Sequence, residues 1–245
     1  MTRFLLALQF LTIIPLSVRG EITDKMLGES LVYFPLVGIL LGGILVGSHF
    51  VLALFLPENI VCVFLLLILI LLTGALHVDG FADTLDGLFS RKSREEMLQI
   101  MRDSRLGTMA VLGLIILLLL KYQLLYALSG KGMNAALLLM PLLGRWGMAA
   151  SASLAKYARS NGGVGKPYTE YAGLREFIIA TVLTFLGVVL IGGIRGILVF
   201  ISVAILAGIL FHFISKKLGG MTGDTYGALG EIVEVAVLLG YEIFS

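Results

Sequence analysis

Residues 31–56 read LVYFPLVGILLGGILVGSHFVLALFL, a run of 26 residues without one Asp, Glu, Lys or Arg. An α-helix rises about 1.5 Å per residue, so roughly 20 apolar residues cross the hydrocarbon core of a bilayer, and this run crosses it with tilt to spare. Outward from it the same signal recurs at 60–78, 108–128, 134–154, 177–192, 196–214 and 226–241, some of these only just long enough. The expectation is an all-α, polytopic membrane bundle of about seven transmembrane helices plus short interfacial helices, forming one domain over residues 1–245. Composition agrees: 58% of residues are hydrophobic, 14% are charged and the mean hydropathy is +1.02.

The N-terminal run 4–16 follows Arg3 as a secretion signal would, but no small-x-small cleavage pattern precedes Arg19. It is too short to span, which predicts an interfacial or re-entrant helix. Glycines at 38, 42, 43 and 47 suit close helix approach in lipid, where small residues replace the hydrophobic effect as the source of packing. The single cysteine, Cys62, lies inside an apolar run and reads as packing. A net charge of +2 and the lack of a basic stripe interleaved with aromatics argue against a nucleic-acid partner.

The connections 57–59, 129–133 and 193–195 are tight turns, so all the long connections fall on the other side of the membrane. That side collects fourteen of the 18 Lys and Arg: Arg3, Arg19 and Lys25; Arg91, Lys92, Arg94, Arg102 and Arg105; Lys156, Arg159, Lys166 and Arg175; Lys216 and Lys217. Only Lys131 and Arg195 occupy the opposite turns, while Lys121 and Arg145 lie within spans. Short cytoplasmic loops accumulate basic residues, so the long loops are expected in the cytoplasm and the C-terminus outside.

The chemistry concentrates in HVDGFADTLDG, residues 77–87. On a helix Asp79, Asp83 and Asp86 fall at about 0°, 40° and −20°, three carboxylates within an arc of about 60°. Like charges so placed at a membrane boundary need a counter-charge, and Mg²⁺ takes carboxylate oxygens while completing its octahedron with water and substrate phosphates. A solvated acidic face paired with Arg91, Lys92 and Arg94 is the plainer alternative, which the position beside a span disfavours. Gly80 and Gly87 stack on a flank of the same helix, where a ligand or another backbone could come close. His77 falls about 160° from the aspartate face, which suits packing or support from behind.

Two further segments carry related chemistry. RDSRLGT, 102–108, supplies Asp103 as a ligand candidate and Arg105 as a phosphate fork. GGMTGDTYGA, 219–228, places Asp224 in a glycine-rich turn at a helix start, a site for anions. The loop YARSNGGVGKPY, 157–168, adds Arg159 and Lys166 among glycines, suited to phosphate or simply a flexible basic loop. Arg145, Glu231 and Glu234 lie inside spans, and such charges face the bundle interior, as an Arg–Glu pair or as the wall of a polar substrate cavity. Carboxylates, basic forks and glycine turns together point to metal-assisted phosphoryl transfer. No GxSxG, HExxH or Walker phosphate loop is present.

HVDGFADTLDG, MRDSRLGT, the Gly144–Arg145 pair, YARSNGGVGKP and GGMTGDTYGA, in that order, strongly resemble cobalamin synthase, the adenosylcobinamide-GDP ribazoletransferase family. The resemblance covers about residues 10–239. It implies a Mg²⁺-dependent enzyme of the inner membrane, its active site facing the cytoplasm, that joins adenosylcobinamide-GDP to α-ribazole or its 5′-phosphate and releases GMP. By motif match, Asp79, Asp83 and Asp86 are the metal candidates, with Asp83 and Asp86 also catalytic and Asp103 and Asp224 as further ligands. Arg105, Arg145, Arg159, Lys166, Gly80 and Gly87 are the implied substrate and phosphate contacts. Arg105 and Lys166 would steady the pyrophosphate, and Asp86 is one candidate to accept the attacking hydroxyl's proton. Homo-oligomers and association with other corrinoid enzymes stay open. Many family members carry Glu where this chain has His77. A CDP-alcohol phosphotransferase is disfavoured because its signature opens D-x-x-D-G, whereas this chain reads D-x-x-x-D-x-x-D-G. A divalent-cation transporter should show polar residues through the full bilayer depth, whereas these gather at one face.

Overall fold

The computed structural model describes residues 2–16, 18 and 20–244, so Arg19 of the basic count lies outside the described residues. The chain is helical throughout: α1 (Thr2–Leu11), α2 (Asp24–Ser30), a 3-10 turn at Leu31–Tyr33, α3 (Phe34–Leu52), α4 (Glu58–Leu72), α5 (Leu76–Phe89), α6 (Arg94–Ile100), α7 (Thr108–Ala127), α8 (Met133–Leu154), α9 (Lys166–Glu170), α10 (Leu174–Leu218) and α11 (Gly223–Ile243). Four segments are long and apolar enough to cross a membrane: 24–52, α7, α8 and α10. The pair α4 and α5 makes a fifth if its 88° bend is counted as one broken span. α11 has the length to cross but carries Asp224, Glu231, Glu234 and Glu242, more charge than lipid-facing helices bear.

α8 is the axis of the bundle, buried around most of its circumference against α3, α10 and α11. α3 approaches it closely, because a Cβ on Gly38 would stand 2.5 Å from the Pro141 carbonyl and one on Gly42 2.7 Å from the Leu138 Cα. Gly43 and Gly47 face open space, so only half of the small-residue stripe serves this contact. Cys62 is buried in the core, as packing requires.

Two departures from straight helices shape the molecule. The stretch 60–78 is not one continuous span: Gly74 and Ala75 both adopt left-handed backbone, and α5 leaves at a right angle to α4. The segment after α1 reaches this corner, where the Ile13 N–H donates to the Leu72 carbonyl at 2.8 Å. In α10, Gly193 has φ 54° and ψ −140°, outside the helical region. A Cβ on Gly196 would lie 2.9 Å from the Val188 carbonyl, whereas eight residues along a straight helix span about 12 Å. α10 is therefore two antiparallel arms joined by the tight turn expected at 193–195. Arg195 from that turn donates to the Lys131 carbonyl at 3.2 Å and to the Tyr241 carbonyl, and packs over the Tyr241 ring. The end of α11 is thus pinned beside the short turns, at the end of the bundle away from α6 and α9.

At the other end an isolated parallel bridge ties the 155–165 loop to the segment preceding α11. Ala158 N–H donates to the Met221 carbonyl and Met221 N–H to the Lys156 carbonyl, both at 2.9 Å. This staple sets the register of Arg159 against the start of α11.

Candidate active site

α5 threads between α7 and α11, and its contacts with them decide which aspartates stay available. Gly80 lies against the first turn of α11, with a Cβ there only 2.8 Å from the Asp224 carbonyl. A Cβ on Gly87 would likewise stand 2.5 Å from the Met101 side chain. The room left by both missing side chains is filled by protein, so these two glycines set helix approach and leave no space for a ligand. Packing Gly80 onto α11 brings Asp79 and Asp83 beside Asp224.

Asp83 is the centre of this group. It is half-buried, and Asp79, Asp224 and Asp86 all bear on it with like charge, while Arg159 supplies the opposing charge. Arg159 donates to Asp224 Oδ2 at 2.6 Å. Asp86 is already engaged: its Oδ2 accepts from Gly107 N–H at 2.5 Å and its Oδ1 from Ala110 N–H at 2.9 Å. It caps the N-terminus of α7 from outside, satisfying donors that a helix start leaves open. Each Asp86 oxygen accepts one backbone N–H and keeps a second lone pair, so the cap fixes where the carboxylate stands.

Asp103 and Arg105 do not join the cluster. They are exposed and bind each other, Arg105 Nη2 to Asp103 Oδ2 at 2.6 Å, and hydrogen bonds from Arg105 hold the Asp103 carboxyl down to about 2. An Arg–Asp pair two residues apart closes on itself, so neither group reaches toward Asp83. Lys166 is part-exposed and pairs with Glu170 at 3.5 Å.

Arg145 lies deeper, in a closed network. It bonds Glu234, whose other oxygen accepts from Lys121 Nζ at 2.5 Å; Lys121 also donates to Glu231 at 2.6 Å. The intramembrane Arg–Glu pair is there, and Lys121 is the partner that sequence reasoning did not assign. Its signal was available, since an isolated lysine in an apolar span must find a carboxylate. His77 Nδ1 stands 3.4 Å from Arg145 Nη2, which ties its ring to this network.

One cavity borders Asp79 and Asp224 directly, and a second meets the cluster only through Arg159. The second, open and of about 500 Å³, is lined by Arg94, Arg102 and Arg159 together with Glu95, Gln99 and Asn161. The smaller, about 110 Å³, reaches from Asp79 and Asp224 to His77 and the rings of Phe10, Phe34 and Tyr168. In the sequence Arg94 and Arg102 stand out only as charges, and the aromatic wall is invisible there because its members come from α1, α3 and α9.

Among the described residues no three His, Cys, Asp or Glu side chains converge into a metal cage. The donor chemistry nonetheless fits magnesium, which is commonly held by one or two carboxylates plus substrate phosphates and water. Asp79 and Asp83, one helical turn apart and with no side-chain hydrogen bond or salt bridge among the described residues, are the two carboxylates that could supply such ligands. Of the other three aspartates in the expected ligand set, Asp86 caps α7, Asp103 pairs with Arg105 and Asp224 holds Arg159.

Comparison with known proteins gives a single result. The family model described as cobalamin-5-phosphate synthase matches residues 3–242. A protein of Acetivibrio thermocellus named adenosylcobinamide-GDP ribazoletransferase is 39% identical over 243 residues, covering 99% of this chain and 98% of its own length. Proteins of the same name from Clostridium acetobutylicum and Caldanaerobacter subterraneus are 38% and 37% identical, over 97% and 98% of this chain and 94% and 97% of their own lengths. No solved structure matches the chain.

Proposed function

Because the chain belongs to the cobalamin-5-phosphate synthase family, we propose that it transfers the cobinamide phosphate of adenosylcobinamide-GDP to α-ribazole or its phosphate, with Mg²⁺ held by Asp79 and Asp83. The activity is that of an adenosylcobinamide-GDP ribazoletransferase, a late step of cobalamin biosynthesis. The observation that carries the site assignment is the charge imbalance around Asp83. Asp79, Asp86 and Asp224 surround it with negative charge, and among the described residues Arg159 alone opposes them.

When bound, Mg²⁺ would neutralise charge developing on the pyrophosphate oxygens. Arg94, Arg102 and Arg159 in the open cavity bind the phosphates of the nucleotide half, a role that passes to them from Arg105. The bridge between 156–158 and 221 holds Arg159 in place, and positioning of this kind supplies much of the rate in phosphoryl transfer. The ribazole hydroxyl oxygen forms a bond to the corrinoid-side phosphorus, the bond to the bridging oxygen breaks, and GMP departs with that oxygen. The hydroxyl proton passes to a carboxylate at the rim of the smaller cavity, where Asp79 and Asp224 lie.

The basic residues of the long loops argue that this end faces the cytoplasm, in the inner membrane of a bacterial or archaeal cell. Cys62 is buried, so a cysteine introduced at exposed Ser160 is the single accessible thiol. It should resist an impermeant maleimide in intact cells and react after lysis; labelling in intact cells reverses the orientation.

The activity is tested with purified protein in liposomes supplied with adenosylcobinamide-GDP and α-ribazole, scoring GMP and the joined corrinoid with and without Mg²⁺. Product that disappears with a chelator and returns with Mg²⁺ supports the proposal. Product indifferent to chelation removes the metal from it, and absence of product from folded, Mg²⁺-supplied protein removes the activity.

A further inference from the structure

A third cavity, of about 210 Å³, lies away from the aspartates, and none of the chemistry above uses it. Trp146 of α8 forms part of its wall, with Phe177 from the first arm of α10 and Phe211 from the second. Trp146 is wedged between those arms: its Nε1 donates to Thr181 Oγ1 at 3.0 Å, and its ring meets Phe200 edge-on with centroids 5.0 Å apart. The room comes from Ala204, Ala207 and Gly208, which share one helical stripe with Phe211. Gly208 is exposed and a Cβ there would meet nothing within 4 Å, so the cavity is a cleft that opens at this point.

What fills the cleft follows from where it stands. Its walls come chiefly from α8 and α10, both long and apolar enough to cross the membrane. Ile201, Ile205 and Ile209, beside it on the second arm, are exposed, as side chains turned to lipid are. The medium at its mouth is therefore hydrocarbon. It runs from Leu154, the last residue of α8, to Trp146, about 12 Å deeper along the helix, and one leaflet supplies about 15 Å of hydrocarbon. Two polar groups of the wall are satisfied within the protein, the indole N–H by Thr181 and the Ser151 hydroxyl by the Met148 carbonyl at 2.9 Å. An occupant thus needs no polar atom. An apolar cavity of about 150 Å³ takes a benzene ring, so 210 Å³ admits several methylenes of a chain. A helix is about 10–12 Å across, so a second copy would lie over the mouth without filling the cleft. Left empty, the wall atoms forgo dispersion contacts, and in lipid it is such packing that holds helices together.

We infer that this cleft binds one acyl chain of a bilayer phospholipid, drawn from the leaflet on the side of α6 and α9. The chain lies between the two arms of α10 and packs against Trp146, bracing α10 against α8. The site is separate from the phosphoryl-transfer chemistry and does not depend on it.

Trp146 is the only tryptophan in the chain, so its fluorescence reports on this cleft. In liposomes of a phosphatidylcholine dibrominated at mid-chain, bromine beside the indole should remove most of the emission seen in the unbrominated lipid. Gly208→Phe puts a ring into the cleft, where the Cβ has room and the helix gains a better former than Gly, so this variant should keep most of its emission in brominated lipid. Gly208→Leu, a smaller filler, should fall between the two. Gly43→Phe also has room at its Cβ but stands on α3, away from the cleft, and should be quenched like the unaltered protein. Stability gives a second reading: phospholipid added to delipidated protein in detergent should raise the thermal midpoint of the unaltered chain more than that of Gly208→Phe. Emission indifferent to bromine in the unaltered protein overturns the site, whether or not the variants fold. Equal quenching in Gly208→Phe also overturns it, since bromine would then act from the surrounding lipid. Weak quenching together with a dimer that Gly208→Phe dissociates gives the mouth to a second copy and removes the lipid chain.

Discussion

The molecule has two charged clusters that share α11, one formed with α7 and α8 and the other with α5 and the 155–165 loop, and they are balanced in opposite ways. In the interior, Lys121 and Arg145 face Glu231 and Glu234, two positive charges against two negative, joined by hydrogen bonds and sealed from solvent. At the end of the bundle that bears α6 and α9, Asp79, Asp83, Asp86 and Asp224 meet Arg159 alone among the described residues. A low-dielectric interior tolerates charge only when it is paired and hydrogen-bonded, so the inner cluster has to be complete. The outer one borders water, where an excess of carboxylates is tolerated. Two clusters of similar residue types thus divide into a structural brace and a site that leaves capacity for a ligand.

Substitutions sharpen that division. Asp83→Ala should lower GMP formation by about 10³-fold, on the scale seen when a group stabilising transition-state charge is removed, while the thermal midpoint holds because a like-charge repulsion is also lost. Retention of full activity would place the chemistry elsewhere. Lys121→Met should do the reverse, destabilising the fold by about 3–5 kcal/mol because Glu231 is left buried without its partner, with activity per folded molecule largely kept. Thermal unfolding in detergent reads this, and an unchanged midpoint would mean that the inner cluster is not a brace. The smallest effect belongs to Arg105→Ala, about twofold or less in rate, since its guanidinium is turned to Asp103 in solvent. Asp103 keeps its charge throughout pH 5–9, its carboxyl being held at about 2, so this pair should add no inflection to the pH–rate profile there. A loss of more than tenfold in Arg105→Ala would show that the loop swings inward when substrate binds.

Much of this is legible in the order of the residues. Apolar runs separated by short turns announce a helical membrane bundle, since the hydrocarbon core fixes how long a spanning helix must be. The fold-back at 193–195 is visible as a break between two apolar runs. The four-and-three spacing of Asp79, Asp83 and Asp86 places them on one face, and the same arithmetic takes His77 off that face; its ring meets Arg145. Helical phase is local, so sequence contains it.

What sequence could not supply is which of these groups is already spoken for. Asp86 shares the face of Asp79 and Asp83, yet each of its oxygens accepts an N–H from the start of α7, more than twenty residues away along the chain. Asp224 meets Arg159 only because a two-bond bridge sets the register between their segments. The bend at Gly74 and Ala75 and the aromatic cavity likewise follow from packing among α1, α3, α5 and α9. The sequence by itself determined the helices, their membrane character and the face on which the aspartates stand, because those follow from hydropathy and a fixed rise and turn per residue. Only the tertiary structure decided which aspartates remain free and what lies beside them, because hydrogen-bond partners and cavity walls come from residues distant in the chain, and no local periodicity encodes their meeting.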